Sequence, residues 1–268
     1  MNVWRRNKVP VIMMLSLLAV GAGKIIQSTF VDWEKTSVVK THTGWTRNLF
    51  RSQTSCLEAI EAEEYTLYPG KETHQSLIDR GNDVVYIIKE GTASITLNNV
   101  TTHLTEGGVA VASQGNRIEI SNKTKSSLVY YSVRIKPKYV RPSPKTQKKE
   151  RTFFSYTDTI RPETISAGNI FQIFDRNTSS LKNLDVHTIR IKSDFNNRET
   201  TDGREEEIVI VRKGIVFGTL RNRDFRLGTG SLIFLTSGEK LDIGNGAESG
   251  SRYYVIKWLA WSPEPKKQ

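Results

Sequence analysis

The chain has 268 residues, 37% of them hydrophobic and 25% charged, which is typical of globular domains and excludes disordered and multi-span membrane proteins. Its length leaves room for two compact cores. The single cysteine, Cys56, excludes an internal disulfide, an iron–sulfur cluster and a cysteine zinc site, because each needs several sulfur atoms. The formal net charge of +11 raises the question of an anionic partner.

The first segment, residues 1–23, has the features of a signal peptide. An uncharged apolar run over 9–23 ends in small residues and follows three basic side chains, Arg5, Arg6 and Lys8. The run is shorter than the roughly 20 apolar residues that a membrane-spanning helix needs, so cleavage near its end is favoured over a retained anchor. The pattern predicts an exported protein, in the periplasm or cell envelope, whose mature form has no integral membrane domain.

Residues 30–135 contain a series of short predicted strands. Runs of β-branched and aromatic residues, such as VVYII at 84–88 and LVYYSV at 128–133, are separated by Gly, Asn and Asp. No long apolar stripe of helical period follows the first segment. Strand-length runs at these turn spacings predict an antiparallel sandwich or barrel, and so an all-β fold.

Most of the excess positive charge lies in residues 136–151. Seven basic residues and one acidic residue fall there, together with three prolines. Because no aromatic stacking platform beyond Tyr139 accompanies the charges, a solvated linker explains them better than a nucleic-acid groove. We therefore expect no nucleic-acid partner, a second domain over 152–261 and a polar tail at 262–268.

The second domain repeats the first. The stretch 83–131 returns as 206–254, so that Gly91 matches Gly214, 123 residues later. Upstream the offset is 124, and Ser55 matches Ser179. A match that continues over both segments is typical of a tandem duplication.

Two motifs resemble those of the cupin superfamily, the first in the second half of the chain and the second in both halves. The second half carries Glu207 before an apolar strand and Gly214, then Gly230, Gly238 and Asn245; the first half carries Gly107, Gly115 and Asn122 in register. The chain is therefore similar, over about residues 30–261, to tandem cupins, or bicupins. The resemblance implies two double-stranded β-helix (jelly-roll) barrels. More narrowly, the Trp33-Glu34-Lys35 opening is similar to that of exported bacterial bicupins akin to (S)-ureidoglycine aminohydrolases.

The resemblance also indicates which chemistry is missing. An active cupin presents two histidines, a glutamate and a later histidine to a divalent metal. In the second half these positions fall on Thr201, Gly203, Glu207 and Leu241, and in the first half on Ile78, Arg80, Val84 and Ile118. Only Glu207 can act as a ligand at this spacing, and a longer spacing used by some cupins would add at most one carboxylate to each half, Asp79 and Asp202. We therefore expect both metal centres to be lost, with no cofactor and no catalytic residue assigned.

The remaining polar candidates lie near Glu207. In the run LDVHTIRIK, strand alternation places His187 on the face of Asp185, where we expect a surface or pocket-rim histidine. We interpret Glu207 as a former ligand that now pairs with Arg198 or Arg204. A general acid–base role for a buried Glu207 remains the alternative.

Two functions follow from these residues. The first is an exported, metal-free bicupin that acts as a scaffold or binds a small acidic or sugar-like molecule at the mouth of its second barrel. The candidate ligand-binding residues are Thr201, Glu207, His187, Leu241 and Arg198. The second is a metal-dependent enzyme of the ureidoglycine aminohydrolase-like type, with a rearranged site of Glu207, His187 and a water. The resemblance further implies a homodimer.

Overall fold

The computed structural model describes residues 25–73, 76–141, 153–156, 159–193, 196–200 and 204–262, with the backbone alone at 153–154 and 196–200. The expected signal peptide and residues 142–151 of the expected linker lie outside these ranges. In the described ranges, 3-10 structure occurs at Trp33–Lys35 and at residue 159, and the other regular structure is strand. The all-β prediction is thus confirmed. None of the described segments forms a helix long and apolar enough to cross a membrane.

Eleven strands precede the predicted linker or run into it. They are β1 (Thr29–Val31), β2 (Val38–Lys40), β3 (Gly44–Ser52), β4 (Leu57–Leu67), β5 (Ser76–Leu77), β6 (Asp83–Glu90), β7 (Thr92–Leu97), β8 (Val100–Thr105), β9 (Gly108–Ser113), β10 (Arg117–Ser121) and β11 (Leu128–Pro137).

The strands that follow repeat this series. They are β12 (Phe153–Tyr156), β13 (Glu163–Ile165), β14 (Gly168–Arg176), β15 (Leu181–Ile191), β16 (Asn196–Thr200), β17 (Glu206–Lys213), β18 (Ile215–Leu220), β19 (Arg223–Gly228), β20 (Leu232–Leu235), β21 (Lys240–Asn245) and β22 (Ser251–Ala260).

The strands form the same pair of antiparallel sheets twice. One unit, here the N-terminal unit, consists of a seven-stranded sheet ordered β12-β9-β6-β11-β4-β3-β2 and a four-stranded sheet ordered β5-β10-β7-β8. The other, the C-terminal unit, consists of β1-β20-β17-β22-β15-β14-β13 and β16-β21-β18-β19. The sequence repeat therefore corresponds to a repeat of strand order.

The two units exchange their first strands. Thr29 of β1 pairs with Phe234 in the C-terminal unit, and Phe153 of β12 pairs with Val111 in the N-terminal unit. Residues 29 and 153 are 124 apart, the offset of the upstream repeat. Each seven-stranded sheet is thus completed by a strand from the other half of the chain.

Strand alternation divides the apolar side chains among three cores. In β17, Ile208 and Ile210 join a cluster between the two seven-stranded sheets, whereas Val209 and Val211 face the interior of the C-terminal unit. A third cluster fills the N-terminal unit. Because the central strands are buried on both faces, their sequences are nearly continuous apolar runs.

Two buried carboxylates fix the contact between the units. Glu206 accepts hydrogen bonds from Thr54 Oγ1 (2.6 Å), Ser55 Oγ (3.0 Å) and Cys56 Sγ (3.2 Å) of the other unit. Its counterpart Asp83 accepts one from Thr178 Oγ1 (2.6 Å). These bonds offset the cost of burying the carboxylates and explain why the turns around residues 55 and 179 match.

Candidate functional site

A polar cluster lies at one end of the C-terminal unit's interior, on its three central strands. In β15, β22 and β17, alternation puts four polar side chains on the face occupied by Ile189, Val255 and Val209. The four are Asp185, His187, Lys257 and Glu207. We call them the interior cluster.

The centre of the interior cluster is an ion pair. Lys257 stands between the other two strands in register, opposite both Asp185 and Glu207. Its Nζ lies 3.5 Å from Oε2 of Glu207, whose side chain is fully buried, while the lysine side chain is 17% exposed. A charge this deeply buried is tolerated only beside an opposite charge. Lys257 therefore supplies a positive charge next to Glu207.

The second pair in the interior cluster is Asp185 with His187. Asp185 Oδ1 lies 3.0 Å from His187 Nδ1 and accepts a hydrogen bond from Gln172 Nε2 at 2.7 Å. Burial raises the pKa of Asp185, but the hydrogen bond and charge of His187, the Gln172 amide and the charge of Lys257 together outweigh it, so the pKa is lowered. Because an ionised carboxylate can only accept, His187 donates from Nδ1.

The structure corrects the expected location of His187. Its side chain was expected at the surface or a pocket rim, but it is only 8% exposed and faces the interior. The expected alternation of Asp185 and His187 against Val186 is confirmed, since Val186 packs in the core between the units. The burial of His187 was underestimated, because β15 is covered on both faces.

The structure describes only some of the other predicted site residues. Leu241 is fully buried in the same interior, on β21 of the four-stranded sheet. The backbone of Arg198 pairs with Asp242 at the edge of that sheet, and nothing is described of its side chain. Thr201 lies outside the described residues, as does Gly203. Sequence reasoning missed Lys257, although its alternation with Tyr253 and Val255 points it into the interior.

The described residues of the C-terminal unit include several side chains of the types that ligate metals. No group of three His, Cys, Asp or Glu side chains in the described ranges could hold a metal ion. The Lys257 ammonium lies 3.5 Å from the Glu207 carboxylate, so a divalent cation bound to the same carboxylate would lie close to it. Two positive charges so close together repel strongly in a buried site.

The N-terminal unit differs at the equivalent positions. Ile78, Val84 and Ile118 are buried in its apolar interior. Two carboxylates lie on the neighbouring part of β4. Glu61 and Glu63 occupy the positions of Asp185 and His187.

These two carboxylates have partners within the N-terminal unit. Glu61 pairs with Arg51 (2.7 Å) and Arg134 (3.8 Å), and Glu63 accepts a hydrogen bond from Tyr65. The Tyr65 ring stacks on Tyr130, with ring centroids 5.3 Å apart. The two interiors thus share strand order but differ in the chemistry they can perform.

Comparisons with known proteins find similarity in three dimensions only. No family model matches the chain, and no curated protein matches it significantly. The solved structures that it resembles include the protein Ylba of E. coli, from family DUF861, with a TM-score of 0.70 and 12% identity over 92% of this chain and 97% of that one. A Pseudomonas aeruginosa protein described as glyoxylate-induced has a TM-score of 0.70 and 15% identity, covering 92% and 96%.

A third similar structure is the oxalate decarboxylase of Lactobacillus farciminis in complex with formate, with a TM-score of 0.66, 11% identity and coverage of 89% and 87%. The chain shares its fold with these three proteins. Since these identities are all low, the likeness establishes the architecture of the chain and leaves its activity to be argued from its own residues.

Proposed function

We propose that this protein is an exported bicupin, two cupin barrels in tandem, that binds a small acidic or sugar-like molecule without a metal. The observation that carries the proposal is the ammonium of Lys257, which lies 3.5 Å from Glu207, the residue that the resemblance to cupins places among the metal ligands. In this proposal the ammonium of Lys257 takes the place of a bound metal ion, so the interior cluster contains a positive charge without metal ligands.

The interior cluster offers donors and acceptors to such a ligand. Lys257 has three N–H donors and His187 adds an imidazole, so a carboxylate or hydroxyl group finds charge-assisted partners. Glu207 supplies acceptor oxygens for hydroxyl groups, and Leu241 forms an apolar wall. The resemblance to cupins implies that Thr201 and Arg198 also line the mouth of the second barrel.

A ligand screen tests this function. Small carboxylic acids, sugar acids and neutral sugars are added to the purified full-length protein, and stabilisation is followed by thermal unfolding. We expect a hit whose stabilisation is lost in Lys257→Met and kept in Lys257→Arg, the variant that preserves the charge. A hit unaffected by either variant would place binding elsewhere and overturn the assignment to the interior cluster.

One observation favours the alternative, a metal-dependent enzyme of the ureidoglycine aminohydrolase-like type. Asp185 orients His187 through Nδ1, and metal-ligating histidines commonly have such a carboxylate behind them. This function predicts near-stoichiometric metal that is lost in His187→Ala and retained in Arg117→Thr, a change at an exposed arginine of β10.

Export is a separate part of the proposal. It rests on the basic and apolar pattern of residues 1–23, and cell fractionation tests it. We expect the protein in the periplasmic or envelope fraction with its N-terminus near residue 24. Recovery of the intact chain from the cytosol would contradict export but leave the binding proposal standing.

A further inference from the structure

A cavity of about 550 Å³ lies on the seven-stranded sheet of the N-terminal unit, on the face turned toward the other unit. Tyr131 of β11 packs in the core between the units, and the same face of that strand continues to Val129, which lines the cavity with Thr66 of β4. Two indole rings, Trp33 and Trp45, also line it, and we call it the tryptophan cavity. Its volume is within the range of small-molecule sites.

The Trp33 wall of the tryptophan cavity is held by both units. Its backbone amide donates to Ser231 Oγ at 3.1 Å, and its Nε1 donates to Glu64 Oε2 at 3.0 Å. The ring also packs on Gly230 of the C-terminal unit, where an added Cβ would lie 2.5 Å from it. Because these contacts fix the indole in advance, a ligand would not have to order this wall on binding.

The Trp45 wall is open to solvent. Strand register places Trp45 in one row with Thr66, Val129 and Glu90, across β3, β4, β11 and β6. The side chain of Trp45 is 39% exposed, and Val38 on the edge strand β2 is 42% exposed. Single exposed apolar residues are common in proteins, but apolar and aromatic side chains gathered around a concave surface are typical of ligand pockets.

The charged groups of the tryptophan cavity balance one another. Glu64 accepts a hydrogen bond from Lys89 Nζ at 2.7 Å and lies 3.6 Å from Arg47 Nε, and these three side chains are at most 13% exposed. Glu90 is exposed at the rim, so the lining has two cations and two carboxylates. A lining without net charge favours a neutral ligand over an anion or a cation. It still offers hydrogen bonds, because an ammonium has three N–H donors and the carboxylate of Glu90 and the hydroxyl of Thr66 can accept.

The C-terminal unit provides an internal comparison. At the positions of Trp45 and Val129 it carries Asn169 and Arg252, in the same strand order. The fold therefore does not require an apolar wall at this place, and its strands accommodate both replacements. The aromatic character of the cavity is a property of the N-terminal unit.

We propose that the tryptophan cavity binds a neutral saccharide of one or two rings. A sugar ring has flat faces of C–H groups, which stack on an indole, and a rim of hydroxyl groups, which donate and accept hydrogen bonds. Trp45 supplies the stacking surface, and Lys89, Thr66 and Glu90 supply polar partners for the hydroxyl groups. This site is independent of the proposed function, since it lies in the other unit from Lys257.

Calorimetric titration of the full-length protein tests the proposal, with glucose, galactose, N-acetylglucosamine, maltose and cellobiose as neutral probes. The comparison probes are glucuronate, which adds a charge to a sugar ring, and nicotinamide, a flat ring without hydroxyl groups. We expect saturable one-site binding of at least one neutral saccharide, tighter than the binding of either comparison probe.

Two variants place residues of the C-terminal unit in the cavity. Trp45→Asn removes the stacking surface, and Val129→Arg fills the cavity from a different strand; each should weaken saccharide binding at least about tenfold. The control is Phe217→Asn, which removes an exposed aromatic side chain of β18 outside the cavity and should change the affinity less than about twofold. Urea unfolding shows which variants are folded.

Three results would overturn the proposal. One is the absence of saturable binding by every neutral probe. Another is saccharide binding that a folded Trp45→Asn or Val129→Arg variant leaves unchanged. The third is tighter binding of glucuronate or nicotinamide than of any neutral saccharide. Lys257→Met separates this site from the interior cluster, since we expect that variant to bind the saccharide normally.

Discussion

Removal of the Lys257 ammonium should destabilise the protein in a way that can be calculated from its surroundings. In Lys257→Met the fully buried carboxylate of Glu207 keeps its position but loses the cation 3.5 Å away. Breaking a buried pair from one side costs about 3–5 kcal/mol. Because the lysine side chain is 17% exposed, water can partly replace it, and we expect the lower end, about 3 kcal/mol.

Urea unfolding followed by tryptophan fluorescence measures this loss. A second variant, Lys257→Met with Glu207→Leu, controls for the changed packing, because an apolar replacement of a buried ion pair is often neutral. The double variant should therefore be more stable than Lys257→Met alone. A loss below about 0.5 kcal/mol in the single variant, or additive losses in the double, would refute the reasoning that the two charges depend on each other.

Three further predictions concern other groups. Thr54→Val removes the hydroxyl that donates to Glu206 and accepts from the Leu57 amide, so it should cost about 3 kcal/mol, whereas Thr54→Ser should cost less than about 1 kcal/mol; equal losses in urea unfolding would contradict this. Since the pKa of Asp185 is lowered in the folded state, its stabilising contribution is present above the unfolded pKa and is lost as pH falls through the folded pKa. The difference in unfolding free energy between wild type and Asp185→Asn should therefore shrink below about pH 4. A difference that stays constant with pH would contradict this prediction. Burial, reinforced by the charge of Glu206, raises the pKa of Cys56 to about 12. Iodoacetamide at pH 8 should therefore label the native thiol at least about a hundredfold more slowly than the urea-unfolded thiol. Similar labelling rates would show that the pKa of the native thiol is not raised.

Local pattern was enough to predict the strands and the duplication. The resemblance to cupins implies a position for Glu207 inside a barrel, and the structure shows the residue fully buried on the strand face of Val209 and Val211. The matched turns at Ser55 and Ser179 were visible as a repeat, but their role was not. Ser55 donates a hydrogen bond to Glu206, which is 151 residues away in the chain. Thr178, beside Ser179, donates one to Asp83, which is 95 residues away.

What the sequence did not reveal depends on register between distant strands. Lys257 became a candidate only when β22 was placed between β15 and β17, which puts it opposite Asp185 and Glu207. The proximity of Arg190 and Arg252 has the same origin, since the two residues are far apart in the chain but directly opposite in the sheet. The strand exchange leaves no compositional trace, because β1 and β12 would have the same apolar pattern in either sheet.

The proposal of an interior without metal is tested most directly by the metal content of the full-length protein, purified in its exported form without chelator. If Lys257 has replaced the cation, we expect less than about 0.1 equivalent of Mn, Zn, Fe or Ni per chain and no thermal stabilisation when these ions are added. Near-stoichiometric metal that disappears in Glu207→Ala would contradict the account and make the metal-dependent enzyme the better description.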